Sequence, residues 1–241
     1  MRERLRIPAE WEVHEACWLA FPYLADEWPN SLEPAQRAVA RLCQTIAGAG
    51  EERVRLLVKN DAVEEVARGL IGDHRNVEYV RADYGDCWVR DTAPLFGRCA
   101  DGALGSLRFS FNGWGSKYDM PFDRDVGEWL EDRVGAISFA SPLTLEGGAL
   151  ETDGRGTFLT TASCVLNDNR NPGLTKEGFE SALAALAVMT QVIWLDQGLA
   201  HDHTDGHVDM IARFAPGGGV LCMSPDPAAP NAQVLDAIVR E

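Results

Sequence analysis

The 241 residues contain no apolar run long enough to cross a bilayer. The opening Met1-Arg-Glu-Arg-Leu-Arg6 runs straight into Pro8 with no signal-peptide core. These absences predict a cytoplasmic chain without membrane contact. Paired cysteines are missing too. Cys17, Cys43, Cys87, Cys99, Cys164 and Cys222 are scattered singly with no Cys-x-x-Cys, which argues against a disulfide framework or zinc knuckle and for reduced thiols, most of them small core residues. Positive charge is scarce: 22 Lys and Arg face 37 Asp and Glu, for a formal net charge of −15. With no local basic stripe, this excludes a nucleic acid as partner and favours a cationic one. Histidine is scarce as well, five in all.

Three of those five histidines stand together in His201-Asp-His-Thr-Asp-Gly-His-Val-Asp209. Imidazoles among carboxylates suit proton transfer, cation clamping or metal ligation. The apolar stretch Val208 to Phe214 reads as a buried strand behind them, and polar groups at the mouth of a buried strand are where α/β proteins place their chemistry.

Along the chain, strand and helix patterns alternate in rounds. Ala16–Phe21 reads as a strand, 33–47 as a helix stopped by Gly48 and Gly50, and Val54–Val58 as a strand. A helix capped by Asp61 and the strand Val77–Val80 follow, running into Asp83-Tyr-Gly-Asp-Cys-Trp-Val-Arg-Asp91. A second round takes the strand Leu107–Phe111, a helix at 123–134 and the stretch Ala136–Phe139 to Glu146-Gly-Gly148. A third takes Thr157–Thr161, a helix at 175–188 and the strand Gln191–Leu195 to the histidine cluster. The polar loops recur about every 55 to 60 positions, the mark of an internal repeat rather than of plain α/β alternation. Loops at equivalent places in a pseudo-symmetric fold converge on its axis, so Asp91, Glu146, His207 and Asp209 are expected in one pocket. A fourth round opens with Gly219–Met223 and a helix at 231–239, and the strand and polar loop expected next do not occur within the 241 residues.

A pair of carboxylates matches the paired N–H donors of a guanidinium, and Asp91 with Asp209 is a candidate clamp. A salt bridge to Arg90 is the plainer reading of Asp91 alone. Gly147 and Gly148 would let backbone approach a ligand closely. Trp114 suits either a pocket wall or a core position. The alternation His201-x-His203-x-Asp205-x-His207 would put metal ligands on one face of an extended segment, but it is one residue out of register with dinuclear zinc hydrolases and lacks downstream histidines.

Seven stretches in order resemble the agmatine deiminases, which group with the bacterial-type peptidylarginine deiminases in the guanidine-modifying superfamily. They are Arg6–Ala16, Trp18–Pro22, Asp86-Cys-Trp-Val-Arg-Asp-Thr92, Phe111-Asn-Gly-Trp-Gly-Ser-Lys-Tyr118, Glu146-Gly-Gly148, Leu166-Asn-Asp-Asn-Arg-Asn-Pro172 and Thr204-Asp-Gly-His-Val-Asp209. The resemblance implies an α/β fold of pentein type, a pseudo-five-fold propeller truncated here to about three and a half repeats in a single catalytic domain, residues 1–241. It implies hydrolysis of agmatine to N-carbamoylputrescine and ammonia, on the way to putrescine, through a cysteine-linked amidino intermediate. Asp91 and Asp209 would hold the guanidinium, His207 would act as general acid and then base, and Glu146 would support both substrate and His207. Asp86, Trp88 and Trp114 would contact the substrate. No metal or organic cofactor is implied, and a homo-oligomer is expected. The family's nucleophile sits in a Gly-Gly-Gly-x-x-x-Cys segment of the last repeat, which this chain is expected to lack. Gly217-Gly-Gly-Val-Leu-Cys222 is one residue short of that spacing, so Cys222 is expected to be a core residue of a fourth-round strand. The alternatives are a peptidylarginine deiminase, a non-catalytic guanidinium-binding protein and a metal-dependent hydrolase.

Overall fold

Val54-Arg-Leu-Leu-Val58 forms strand β2, and four of its five residues are buried. A near-continuous apolar run of this kind suits a central parallel strand. β2 lies between β1 (Cys17–Ala20) and β3 (Val77–Arg81), parallel to both, with Cys17 opposite Val54 and Leu56 opposite Tyr79. Parallel neighbours need crossovers, which α1 (Leu32–Ala49) and α2 (Asp61–Ile71) supply. From α1, Ala40, Cys43 and Ala47 recur at helical spacing and pack with Phe21, Val54, Leu56, Val58, Ala67 and Ile71 in one core. The computed structural model describes residues 4–49, 51–224, 228 and 231–240. Gly50, read from sequence as a stop for α1, lies outside them.

These elements belong to one of two compact units, Val13–Val89 with Met120–Val126. The second comprises Met1–Glu12, Arg90–Asp119 and Gly127–Glu241. Its middle segment begins within the short helical turn α3 (Val89–Thr92), and the unit holds β4 (Leu95–Arg98), β5 (Leu104–Ser110) and the four-residue turn α4 (Gly113–Ser116). α5 (Val126–Val134) and β6 (Ile137–Thr144) follow. Then come β7 (Leu150–Thr152), β8 (Thr157–Thr161), the turn α6 (Ala162–Val165), α7 (Lys176–Leu186) and β9 (Gln191–Leu195). β10 (Ala212–Ala215), β11 (Gly219–Cys222) and α8 (Ala232–Ile238) complete the described elements.

One pairing pattern recurs in this second unit. β5 is antiparallel to β4 and parallel to β6, β8 is antiparallel to β7 and parallel to β9, and β10 and β11 form an antiparallel pair before α8. Each parallel step carries a helix. Glu131 of α5 is buried beneath its sheet, where its carboxylate accepts from Ser106 Oγ at 2.8 Å, Arg108 Nε at 2.9 Å and Ser138 Oγ at 2.9 Å. Those donors offset the cost of removing a carboxylate from water. Leu5, Leu107, Leu145, Phe158, Phe179 and Leu183 share one core, and Leu159, Leu195, Val208, Ile211, Leu235 and Ile238 another.

Four expectations from sequence are corrected. The side chain that caps α2 is Asn60, accepting from Val63 N at 3.0 Å, whereas Asp61 is the first helical residue. Val208 to Phe214 is not one strand: a 3-10 turn occupies Val208–Met210 and β10 starts only at Ala212. Cys222 is exposed rather than a core residue, in a strand exposed throughout. The histidine segment is turned rather than extended, with left-handed φ of 62° at His201 and 66° at Asp205.

Candidate active site

Gly148 is the point on which the ionisable side chains converge. A Cβ built there would lie 2.6 Å from His207 Nδ1, 2.7 Å from Asp209 Oδ2 and 2.7 Å from Asp91 Oδ1. No real side chain tolerates such contacts, so the glycine is what lets three groups from distant stretches meet. Each arrives from a tight turn. Asp91 is in α3, Gly148 is in the 3-10 turn Gly147–Ala149 beyond β6, and His207 and Asp209 enter the 3-10 turn beyond β9. Asp91 is held at both oxygens, Oδ1 accepting from Gly148 N at 2.9 Å and Oδ2 from the Trp114 indole at 2.9 Å. Each carboxylate oxygen keeps a second lone pair for a further donor. Trp114 reaches Asp91 because the chain at 113–116 is left-handed throughout, with φ of 53° at Trp114 itself.

His207 is 2 % exposed, with Nε2 at 3.2 Å from Glu146 Oε2 and Nδ1 at 3.7 Å from Asp91 Oδ1. Glu146, fully buried, also receives Arg170 Nε at 2.8 and 3.1 Å. The same guanidinium donates Nη1 to Asp205 Oδ2 at 2.6 Å and Nη2 to Thr204 O at 2.9 Å. Arg170 thus ties the carboxylate beside His207 to the loop that carries His207. Lys117 Nζ, 2.5 Å from Asp205 Oδ1, fastens that loop further.

Burial of His207 opposes its charged form, yet Cys164, Glu146 and Asp91 together lift its pKa to about 10. Those neighbours favour the imidazolium over the neutral ring. Burial raises the Asp91 carboxyl against the pull of His207. It raises Asp209 too, where the neighbouring Asp91 charge adds to the effect. Two half-desolvated acids beside one face form a site that a planar cation relieves.

The family model of the Porphyromonas-type peptidyl-arginine deiminases matches residues 6–241. The chain belongs to that family. The resemblance drawn from the motifs thus holds. Curated relatives from Legionella pneumophila and Shewanella sp., both named "Putative agmatine deiminase", are 39 % and 38 % identical over 93 % of this chain. The chain spans 64 % and 61 % of their lengths, less than two thirds in each case. Among solved structures, the agmatine deiminase of Enterococcus faecalis superposes with a TM-score of 0.88 at 29 % identity, over 98 % of this chain and 65 % of that one.

For this peptidyl-arginine deiminase family member, Asp91, Glu146, His207, Asp209 and Trp114 come together in the second unit. Asp86 and Trp88 belong to the first unit. Asp86 Oδ1 accepts from Cys87 N at 2.7 Å, and Trp88, 49 % exposed, stacks on Trp28 with centroids 6.1 Å apart. The alternating metal pattern does not assemble: His203 Nδ1 meets Tyr118 OH at 2.5 Å, Asp205 takes Arg170, and His207 turns to Glu146. Sequence reasoning missed Arg170 and Cys164. Arg170 had a usable signal, as the lone cation of a polar run quoted for its resemblance, whereas Cys164 looks like any small core residue. Glu146, Cys164 and His207 place one ligand atom each within 4.8 Å of the others, all buried. The Arg170 guanidinium already on Glu146 opposes a dication there.

Proposed function

We propose that this chain provides the guanidinium clamp and the acid–base group of an agmatine deiminase. The observation that carries this reading is the convergence of Asp91, His207 and Asp209 on Gly148. Asp91 and Asp209 take the N–H edges of the substrate guanidinium and fix its plane. The attacking thiolate is that of the family's Gly-Gly-Gly-x-x-x-Cys segment, in a five-repeat pentein propeller to which this chain gives about three and a half repeats. The recurrent antiparallel-then-parallel sheets support that architecture.

The thiolate adds to the guanidinium carbon, and the C–N bond to the outgoing nitrogen breaks as His207, in its imidazolium form, gives up its proton. Ammonia leaves. The neutral imidazole then takes a proton from water, which attacks the amidino carbon and expels the thiolate; the remaining hydroxyl proton is released to solvent, where it is taken up by the departed ammonia, leaving N-carbamoylputrescine. Glu146, oriented by Arg170, steadies the imidazolium in the first step. No step in this scheme calls for a metal or an organic cofactor.

Steady-state assay of the intact enzyme tests the role of His207. His207→Ala should lower kcat by roughly 100- to 10,000-fold with little change in KM, because a proton-transfer group acts mainly in the transition state. Agmatine should outpace an arginine-containing peptide. Near-normal turnover in His207→Ala, with loss in His201→Ala or His203→Ala, would assign the proton transfer to another imidazole.

A further inference from the structure

The first unit holds a second grouping of ionisable side chains that shares no residue with the site above. His14 Nδ1 lies 3.1 Å from Glu52 Oε2, and the Cys17 thiol donates to that same oxygen at 3.2 Å. One donor atom from each of the three lies within 4.8 Å of the others, on a partly exposed face. Strand pairing builds the arrangement. Cys17 opens β1 opposite Val54, and its N–H bonds to Arg53 O at 2.8 Å, so thiol and carboxylate are registered by the β1–β2 ladder. Glu52 is anchored in turn by its own N–H on Ile46 O at 3.3 Å. His14 stands three residues before Cys17, a spacing that lets both side chains reach one point.

We propose that His14, Cys17 and Glu52 form a zinc-binding site of three protein ligands with a fourth position open to water. A tetrahedral zinc with ordinary bond lengths would set its nitrogen, sulfur and oxygen ligands roughly 3.3–3.6 Å apart. The separations from Glu52 Oε2, 3.1 Å to His14 Nδ1 and 3.2 Å to Cys17 Sγ, need only a few tenths of an ångström of spreading, and the imidazole and thiol donors lie within 4.8 Å of each other. Imidazole, thiolate and carboxylate together suit zinc better than magnesium or calcium, which take oxygen ligands. On binding, the Cys17 S–H proton leaves to solvent, and the thiolate and the Glu52 carboxylate together neutralise the dication. The first unit's clustered donors differ here from the buried Glu146–Cys164–His207 trio, which has a guanidinium already seated on its carboxylate.

Titration of the reduced, metal-stripped chain with cobalt(II), a spectroscopic stand-in for zinc, tests the site. The wild type should develop a thiolate-to-cobalt charge-transfer band that saturates at one equivalent and is bleached by added zinc. Cys17→Ser should abolish the band. His14→Ala and Glu52→Gln should each weaken binding on the order of tenfold or more, since even ligand-supporting residues cost that much. Cys164→Ser should leave it intact. No saturable band in the wild type, or a band that survives Cys17→Ser and vanishes in Cys164→Ser, would overturn the assignment. A second readout needs no variant: zinc should slow alkylation of Cys17 by iodoacetamide, and an unchanged rate at that peptide would equally overturn it.

Discussion

At Gly148 a hydrogen stands where a methyl group would touch an imidazole and two carboxylates at under 3 Å. Gly148→Ala should therefore push His207, Asp209 and Asp91 apart, at a cost of about 1–3 kcal/mol from overpacking. Urea unfolding reads that loss, and agmatine titration should show binding abolished. A second prediction concerns Asp123, 1 % exposed, which accepts from Gly85 N at 2.7 Å and from Asp86 N. Burial lifts its pKa to about 6 despite those hydrogen bonds. A raised carboxyl favours the folded state fully below the ordinary carboxylate range, and that contribution is lost as pH rises through about 6. Asp123→Asn keeps an acceptor for Gly85 N without the charge. It should melt higher than the wild type above pH 6, by up to about 3 kcal/mol, and lose that advantage near pH 4. Melting curves across this range check the sign. At this scale the sequence exposed the groups that can ionise inside short polar motifs. It hid those that act by burial: nothing local distinguishes Cys164 from Cys43, and only the fold brings one of them to a histidine.

Regular elements were most legible where burial and periodicity agree. Val54–Val58, Thr157–Thr161 and Gln191–Leu195 are strands at the positions read from sequence. Leu95–Arg98 and Leu150–Thr152 went unread, since strands of four and three residues are too short for a period to show. Apolar content misled at Val208, where a 3-10 turn aims Asp209 at Gly148 before the chain straightens into β10. Caps are decided by geometry that composition does not resolve, as at Asn60 and Asp61. Because Asn60 is the residue whose side chain closes the first turn of α2, Asn60→Ala should cost about 1 kcal/mol and Asp61→Ala only a few tenths. Equal losses in chemical denaturation would show that the cap is misassigned.

Over the whole molecule, the rhythm of polar loops pointed to convergence, and the structure brings Asp91, Glu146, His207 and Asp209 to one place in the second unit. Length and charge add their own constraint. A chain at −15 attracts cations generally, so binding of a diamine by long-range attraction alone must be separated from recognition of a guanidinium. Agmatine and putrescine differ in that head group. Calorimetric titration of both into this chain, at physiological ionic strength and beside Asp209→Asn, is the most direct measurement of the clamp. Two fixed carboxylates should make agmatine bind about tenfold or more tighter than putrescine, with Asp209→Asn bringing agmatine down to the putrescine level. Equal affinities for the two ligands, or an Asp209→Asn chain that binds agmatine as well as the wild type, would contradict the guanidinium clamp.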